Sequence, residues 1–564
     1  MSKLLLIPSA RLIPSELQTD FGAIPSAMIP MGGQPALRYI AEDYVADGFD
    51  VAVAVHDNAV FLEEYLQNHP DLHAQAIDVG ETRSLGASVL HVLKQVDELP
   101  ECLVINFGDT YVAPRPSNQN VVYIQQCDEL FRWTTFEIGP EGQILNIIDK
   151  NHEKFDSNLD QIVFVGVFSL DHVADFVQIL EQCVASTTNG PLDPFYLAIQ
   201  SYFNQLPVED RIFQKAEEWW DFGHLDNYYE VKRSRYLSHR FFNAIRVDTD
   251  RGIIRKASQN AQTLITEISW YLRLPSHLRY AAPRVFDYNL DLDNPYVEIE
   301  FYGYPALADV YLYGNYSPET WRKVFLTLEK LIGDMHSYRF EPQDDTLQTA
   351  MREMYEDKTR NRLKSIVADE RFAPFLQDEV VINDRVVIGL AGVLDRLNDV
   401  IDNVRLYDYD HFTVIHGDLC LSNILYDLRN RFVRVIDPRG RFGSIDGIFG
   451  DPRYDLAKLS HSLEGNYDFF VNGLVDAEWR DGKFYYRPYL GKRHHHVKRL
   501  FRQWLLRNWG DDFNEIKFIE SLLFLSMLPI HGEDFKRQQV LMAKGLEIFT
   551  SVVRGTTMSI ERDV

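Results

Sequence analysis

The chain has 564 residues, of which 46% are hydrophobic and 25% charged, and its formal net charge is −26. This composition is typical of a globular protein with enough apolar material for two large domains or three smaller ones. The acidic balance argues against nucleic acid as a partner, and no apolar run is long enough to span a bilayer. The 4 cysteines are scattered without a CxxC pair, which favours a reducing cytoplasm over a disulfide framework or a zinc site.

In the first part of the chain, short β-branched runs alternate with helical patterns. Such alternation predicts an α/β fold with a mostly parallel, doubly wound sheet, in which ligands bind beyond the carboxyl ends of the strands. The predicted strands are 4–7, 51–55, 103–107, 121–124, 143–148 and 162–168, and the predicted helices are 36–46, 58–67 and 84–95.

A polar, basic stretch around residues 230–240 marks the predicted domain boundary, which divides the chain into 1–232 and 233–564. After it, strands at 244–247, 252–257 and 296–301 surround a helix at 264–274. Long helical patterns follow from about residue 319, interrupted by a β-rich segment at 412–436. This order predicts a small β-lobe followed by a large helical lobe.

The strongest chemical signal is the segment VIHGDLCLSN, in which Asn423 follows Asp418 by five residues. The pattern predicts a strand that delivers a loop with the Asp, and a loop that returns the Asn to the same cavity. A second predicted strand, 432–436, ends at Asp437. Asp418 could accept or orient the proton of a substrate hydroxyl, while Asn423 and Asp437 could hold Mg²⁺ on the phosphates of ATP. His-Gly-Asp alone is a common turn sequence. The prediction therefore depends on the order and spacing of Asp418, Asn423 and Asp437 together.

The segments HGDLCLSN, IDPRG and GDPRYDLAK together resemble the aminoglycoside phosphotransferase and choline kinase superfamily, from about residue 241 to the mid-400s. The resemblance implies a two-lobed protein-kinase-like fold, the cofactors ATP and Mg²⁺, and a small-molecule acceptor. It also implies that Asp451 and Asp455 brace the catalytic loop or contact the acceptor.

The same resemblance implies roles for residues of the small lobe. Lys256 would hold the ATP phosphates with Glu267 as its ion-pair partner, although a surface salt bridge is the plainer alternative. A short phosphate-covering loop would lie at 242–245 and include Asn243. A hinge at 298–301, beginning with Glu298, would read adenine through backbone groups.

In the first part of the chain, Asp109 ends a predicted strand and Asp221 lies beside a tight turn in WWDFGH. Two carboxylates around one Mg²⁺ would suit the attack of a phosphate on the α-phosphorus of a nucleoside triphosphate. The alternative is that both side chains cap turns or helices.

Residues 1–230 resemble sugar-phosphate nucleotidyltransferases, in which GD and WxDFG match the two metal motifs. The resemblance implies that Lys150 contacts the phosphorylated substrate and that Arg83 and Gly86 belong to the base-reading segment. The family's glycine-rich loop is replaced by IPSAR, which retains Arg11, is similar to CMP-sugar synthetases and implies CTP. Ser26 stands where the family has a catalytic lysine, so Arg11 or Lys150 would have to supply that charge.

Three functions follow as hypotheses. The first is a bifunctional enzyme that phosphorylates a small alcohol, amino alcohol or sugar and couples the phosphate to CTP or UTP, as in precursor synthesis for capsule or other surface polysaccharides. The second is a kinase whose first domain binds a nucleotide or sugar without catalysis, and the third is an inactive pair that acts in assembly. The acidic balance and the carboxylates near Asp451 suit a cationic acceptor such as choline, whereas the many aromatic residues suit a sugar equally. The oligomeric state is left open.

Overall fold

The computed structural model describes residues 2–116, 119–127, 132–149, 161–186, 192–232, 243–248 and 250–557. The chain divides into two compact units, Met1–Lys232 with Tyr313–Asn315, and Arg233–Leu312 with Tyr316–Val564. Within the described ranges, no helix combines the length and the apolar character needed to cross a bilayer.

The first unit is built on a mixed nine-stranded sheet, which confirms the α/β class. Its parallel part has the strand order Cys102–Asn106, Lys3–Pro8, Asp50–Val55, Ala74–Asp78. These strands carry near-continuous apolar runs because helices cover both of their faces. Antiparallel strands extend the sheet at Gln161–Leu170, Val121–Cys127, Thr134–Ile138 and Ile144–Asp149, and Ile212–Lys215 pairs in parallel with Val121–Cys127.

The helices of the first unit pack on the sheet through amphipathic faces. The predicted helix at 36–46 occurs at Ala36–Ala46, and the helix predicted at 84–95 begins one residue later, after Ser84 caps it. Two short strand pairs lie beside the main sheet, Thr110–Ala113 with Glu218–Asp221 and Pro30–Met31 with Gln34–Pro35. The other helices are Ser15–Phe21, Ala59–Asn68, Val173–Ser186, Pro194–Gln205 and Leu225–Val231.

The second unit begins with a small lobe, an antiparallel sheet of four strands covered by the helix Ala261–Arg273. Leu264 and Ile268 of this helix pack on Val297 and Ile299 of the sheet, which forms a small separate core. The strands follow the order Asn243–Asp248, Ile253–Ser258, Tyr296–Glu300, Val285–Asn289.

The rest of the second unit is a large, mainly helical lobe, as the sequence predicts. A β-rich segment interrupts the helices and consists of Phe412–Val414, Ile424–Asp427, Phe432–Val435, Arg441–Phe442, Ile445–Asp446 and Phe449–Gly450. A four-stranded sheet joins Arg385–Ile388, Glu379–Ile382, Lys483–Pro488 and Val475–Arg480. The helices are Leu307–Tyr313, Pro318–His336, Thr346–Arg352, Lys358–Val367, Leu390–Asn403, Pro452–Leu463, Tyr467–Val471, Lys492–Trp509, Phe513–Ser526 and Phe535–Val553.

Candidate functional site

Lys256 is the buried cation of the small lobe and lies within the strand Ile253–Ser258. Its Nζ lies 2.7 Å from Glu267 Oε2 and 3.0 Å from Asp437 Oδ1. Burial alone would lower the pKa of Lys256, but the carboxylates of Glu267 and Asp437 outweigh it and raise the pKa. Lys256 therefore stays protonated, as a phosphate ligand requires. Arg255, whose side chain leaves the strand on the other face, pairs instead with Glu298.

Asp437 follows the strand Phe432–Val435 and has a φ of 57°, in the left-handed region that Asp tolerates better than most residues. Its backbone N–H donates to Tyr271 Oη at 3.2 Å. The backbone of Asn423 is tied to the same segment, because Ile436 N–H donates to its carbonyl at 3.0 Å. Asn423 Nδ2 donates to the Asp418 carbonyl at 2.9 Å and to Asp418 Oδ2 at 3.2 Å.

The amide oxygen of Asn423 and the carboxylate of Asp437 form an all-oxygen donor set, which is the chemistry that Mg²⁺ prefers. Across the described residues, no three His, Cys, Asp or Glu side chains converge into a closed metal cage. A nucleotide-bound Mg²⁺ needs none, because it keeps several waters and takes the remaining oxygens from phosphates. The two side chains therefore fit this ion.

Asp455 holds the backbone of the loop at 416–418, which the sequence predicts to be the catalytic loop. Its carboxylate accepts the N–H of His416 at 2.7 Å and the N–H of Gly417 at 2.9 Å. Burial raises the pKa of Asp455 to about 7, although the two N–H donors oppose this rise. Gly417 has a φ of 77°, a conformation in which a side chain would be strained. Burial also lowers the pKa of His416 to about 4, so this imidazole is neutral and its Nδ1 accepts the N–H of Asp418 at 3.3 Å.

Lys458 lies one helical turn after Asp455 on the helix Pro452–Leu463, and its Nζ contacts Asp418 Oδ1 at 2.7 Å. Enclosure by the protein alone would raise the pKa of Asp418, but the ammonium of Lys458 outweighs it and lowers the pKa. Burial alone would lower the pKa of Lys458, but Asp418 raises it. The two groups are therefore both charged, and Asp418 is an ionised hydrogen-bond acceptor.

These groups face one cavity of about 470 Å³ within the second unit. Its lining includes Gly417 of the loop, Thr263 and Leu264 of the small lobe, and Leu523, Ser526, Met527 and Ile530 of the helical lobe. Its charged lining residues are Lys256, Glu267, Lys358, Arg362, Asp418, Asp437, Arg439 and Lys458.

The first unit has its own cavity, of about 770 Å³, at the carboxyl ends of the parallel strands. Arg11, Arg83 and Asp109 all line it, so three of the predicted residues meet there. Ser26 also lines it, and its Oγ lies 3.2 Å from Ser9 Oγ. The Ser26 hydroxyl thus stands where the nucleotidyltransferase resemblance would have a lysine.

Asp221 is buried and accepts three hydrogen bonds, from Gly223 N–H at 2.9 Å, Asn227 Nδ2 at 2.7 Å and His224 Nδ1 at 2.6 Å. A Cβ on Gly223 would stand 2.6 Å from Asp109 Oδ2 and 3.2 Å from Asp221 Oδ1. The two carboxylates therefore converge on either side of Gly223, and a side chain at that position would push them apart. Two neighbouring carboxylates can share a divalent cation.

Residues 238–490 match the sequence model of the phosphotransferase enzyme family (APH). We call the second unit, which includes this range, the phosphotransferase domain. The matched range includes Lys256, Asp418, Asn423, Asp437 and Lys458. It ends before the helix Phe513–Ser526, whose C-terminal end completes the cavity of the phosphotransferase domain.

Two solved structures are similar to part of the chain. One is the CTP:phosphocholine cytidylyltransferase LicC from Streptococcus pneumoniae, which is 12% identical, with 41% of this chain and 98% of that chain covered and a TM-score of 0.33. The other is HddC from Yersinia pseudotuberculosis, 16% identical over 41% of this chain and 98% of that chain, with a TM-score of 0.28. No curated protein matches the sequence.

Two predicted positions in the phosphotransferase domain differ from expectation. Glu298 lies in the middle of Tyr296–Glu300, paired with Arg255 on one side and Asp287 on the other, so its backbone groups face neighbouring strands and cannot read adenine as a hinge. Asn243 begins a strand opposite Ser258 rather than lying in a phosphate-covering loop. The strand forms because Asn243 to Asp248 pair residue for residue with the next strand, and Phe242 lies outside the described residues.

Two further predictions concern single groups. In the first unit, Gly86 N–H donates to Asp193 Oδ1 at 3.0 Å, so this glycine contacts a carboxylate and packs against Phe195 instead of facing a base. Lys150 lies outside the described residues. In the phosphotransferase domain, Asp451 is fully buried against Arg453 Nη2 at 2.7 Å and cannot contact an acceptor, whereas Asp455 does brace the loop.

Sequence reasoning missed four cations of the phosphotransferase domain. Lys458 is in GDPRYDLAK, three residues after Asp455, and this helical spacing could have indicated a shared face. Arg439 is in IDPRG, two residues after the metal-ligand candidate Asp437. Lys358 and Arg362 belong to no recognised motif, and their four-residue spacing alone would not have distinguished them from a solvated helix face.

Proposed function

We propose that the phosphotransferase domain transfers the γ-phosphoryl group of ATP to a hydroxyl group of a small molecule. The observation that carries this proposal is the contact of Lys256 with both Glu267 and Asp437, beside Asp418 in one cavity. Phosphoryl transfer requires positioning and neutralisation of charge more than covalent help from the protein. Lys256 provides the positive charge and Asp418 the ionised carboxylate. Asn423 and Asp437 provide two oxygen ligands for Mg²⁺.

In the proposed reaction, Asp418 orients the acceptor hydroxyl and receives its proton as the acceptor oxygen bonds to the γ-phosphorus. The bond from the γ-phosphorus to the bridging oxygen breaks, and ADP leaves. Lys256 neutralises charge on the phosphates that stay with ADP. Asn423 and Asp437 would hold Mg²⁺, which when bound screens the phosphate charge. Lys458 Nζ contacts the Asp418 carboxylate at 2.7 Å. When the acceptor binds, its hydroxyl takes the place of this ammonium group at Asp418.

We further propose that the first unit couples the phosphorylated product to a nucleotide, CTP or UTP, with release of pyrophosphate. The convergence of Asp109 and Asp221 supports a Mg²⁺ site there, and Arg11 and Arg83 supply positive charge in the same cavity. The product would be an activated building block of the kind used for surface polysaccharides.

A second candidate function is a small-molecule kinase whose first unit binds a nucleotide or sugar without catalysis. Ser26 in place of a lysine favours it, since that charge would stabilise the transition state. The hydrogen bond from Gly86 N–H to Asp193 also favours this second candidate, because the N–H group is then engaged and does not bind a base.

The two candidate functions differ in one product, pyrophosphate. The full chain would be incubated with Mg-ATP and a panel of alcohols, amino alcohols and sugars, and ADP would be measured. Active acceptors would then receive CTP or UTP, and pyrophosphate would be measured. ADP followed by pyrophosphate supports the coupled reaction, ADP alone supports the kinase with a binding domain, and the absence of ADP with every acceptor would refute both.

A further inference from the structure

The cavity of the phosphotransferase domain is cationic in a chain of net charge −26. Five Lys or Arg residues line it against three carboxylates, those of Glu267, Asp418 and Asp437. Lys256 is shared by Glu267 and Asp437, and Lys458 pairs with Asp418. Lys358, Arg362 and Arg439 lie outside these ion pairs, and the formal charge of the whole lining is +2.

These three cations have neutral partners. Arg439 Nη1 donates to Tyr454 Oη at 3.2 Å, Arg362 Nη1 donates to the carbonyl of Ser526 at 3.0 Å, and Lys358 Nζ lies 5.9 Å from the centre of the Tyr454 ring. Within the described part of the chain, no carboxylate lies within ion-pair distance of any of the three. Burial, and then the charges of Arg439 and Arg362, hold the pKa of Lys358 well below its usual value. Partly buried like charges without counter-ions are unfavourable unless an anion joins them.

The three cations outside the ion pairs line the same cavity as Asp418. A Cβ on Gly417 would stand 2.9 Å from Arg439 Cβ, so Arg439 lies against the residue before Asp418. Lys358 and Arg362 are one turn apart on the helix Lys358–Val367 of the large lobe. In the proposed reaction the ATP phosphates already have Lys256 and the two metal-ligand candidates, Asn423 and Asp437. The remaining charge is therefore available to the molecule that presents its hydroxyl to Asp418.

We propose that the acceptor is an anionic alcohol, a small molecule that carries a phosphate or carboxylate group in addition to the hydroxyl that is phosphorylated. Its anionic group lies among Lys358, Arg362 and Arg439. This inference rests on the proposed phosphotransfer and specifies its substrate class. It replaces the expectation of a cationic acceptor, because choline would meet like charges here and Asp451 is unavailable to it.

Matched acceptors test the charge preference. The full chain with Mg-ATP would be given glycerol, glycerol 3-phosphate and glycerate, then glucose, glucose 6-phosphate and gluconate, and finally choline, with ADP release as the readout. We expect kcat/KM for a phosphate or carboxylate member to exceed that of its neutral parent by about tenfold or more, the usual effect of a charged hydrogen bond. Comparison of the phosphate-bearing with the carboxylate-bearing acceptors shows which of the two anionic groups the site prefers. A preference for choline or for the neutral parents would overturn the inference while leaving the phosphotransfer intact.

Variants locate the anion. Lys358→Ala and Arg362→Ala are each expected to raise KM for the anionic acceptor by about tenfold or more and to leave KM for ATP unchanged. Lys364→Ala is the matched control, because Lys364 is exposed on the same helix and should change neither constant. An equal rise in both constants, or none, would overturn the assignment. Thermal denaturation checks that the Arg362 variant, which loses its bond to Ser526, remains folded.

A binding measurement separates this inference from the phosphotransfer. Calorimetric titration of the full chain with inorganic phosphate, in the presence of Mg-ADP to fill the nucleotide site, should show binding that Lys358→Ala and Arg362→Ala weaken and Lys364→Ala does not. Such binding without any acceptor turnover would support the anion site and refute the phosphotransfer. Binding that is indifferent to Lys358 and Arg362 would refute the anion site.

Discussion

The Lys256 ammonium lies 3.0 Å from the Asp437 carboxylate, although 181 positions separate the two residues in the sequence. Lys256 belongs to the small lobe, and Asp437 follows a strand of the large lobe. Their contact joins the cation proposed for the ATP phosphates to a carboxylate proposed for Mg²⁺. The charges proposed to bind the nucleotide therefore lie in one place in the phosphotransferase domain.

The contact between Lys256 and Asp437 predicts that substitution of Lys256 lowers kcat/KM for ATP far more than substitution of the adjacent Arg255. Lys256→Met should lower kcat/KM for ATP by about 100-fold or more, because it removes a positive charge from the phosphates and leaves Glu267 without its ammonium partner. ADP release at several ATP concentrations measures the effect. Arg255→Met is the matched control, since Arg255 is partly exposed and its side chain pairs with Glu298. Similar losses in both variants would contradict the proposed role of Lys256.

Asp418→Asn should lower kcat for phosphoryl transfer by about 10²- to 10⁴-fold, the range that a general base contributes. KM for ATP should change little, because Asp418 faces the acceptor hydroxyl rather than the nucleotide. Initial rates of ADP release test this, with unchanged thermal denaturation as evidence of folding. Asp410→Asn serves as the control, as the Asp410 side chain is almost fully exposed at 96%. A rate within a fewfold of the native protein would refute the catalytic assignment of Asp418.

In the first unit, Asp109→Asn should abolish pyrophosphate release and leave ADP release unchanged. The amide cannot supply the negative charge that a shared Mg²⁺ needs beside Asp221. Gly223→Ala should have the same effect, because its methyl group would stand where the two carboxylates converge. Asp97→Asn, at an exposed position of the same unit, should alter neither product. If Asp109→Asn stops ADP release as well, the proposed division of labour is wrong.

A buried charge cluster of the helical lobe predicts a large effect on stability. Lys517 Nζ lies 3.0 Å from Glu464 Oε2 and also contacts Glu520 and Ser460. Lys517→Met should lower the free energy of unfolding by about 3–5 kcal/mol, because two buried carboxylates lose their shared cation. Urea denaturation would measure this loss. Lys536→Met, at an exposed position on the last helix, should be nearly neutral.

The same cluster predicts a dependence on pH. Burial alone would raise the pKa of Glu464, but Lys517 and Arg502 outweigh it and lower the pKa to about 2 from the ordinary 4.5. The unfolded chain therefore binds more protons than the folded one between these values, and the stabilisation is present above about pH 4.5 and lost as the pH falls towards 2. Urea denaturation along a pH series should show this loss in the native protein and a smaller one in Lys517→Met. An identical acid dependence in both would contradict it.

The sequence predicted those parts of the fold that depend on local periodicity or on a motif with fixed spacing. The helix at 36–46 has its predicted bounds, and Asp418, Asn423 and Asp437 meet in one cavity. Their roles remain predictions. The predicted strand at 296–301 already included Glu298, and this residue pairs with strands on both sides, which a hinge does not allow. Gly86 N–H is engaged by Asp193, 107 positions away. No local pattern reports such a distant partner.

Asp455 accepts a backbone N–H of the catalytic loop, and Lys458 contacts the side chain of Asp418 in the same loop. Both residues lie on the same face of one helix. Their joint placement depends on an uninterrupted helical phase from Asp455 to Lys458. One residue inserted between them would rotate Lys458 by about 100° about the axis and separate the two contacts. An insertion after Leu463 would disturb neither. The length of this short stretch is therefore as constrained as the identity of its two charged residues.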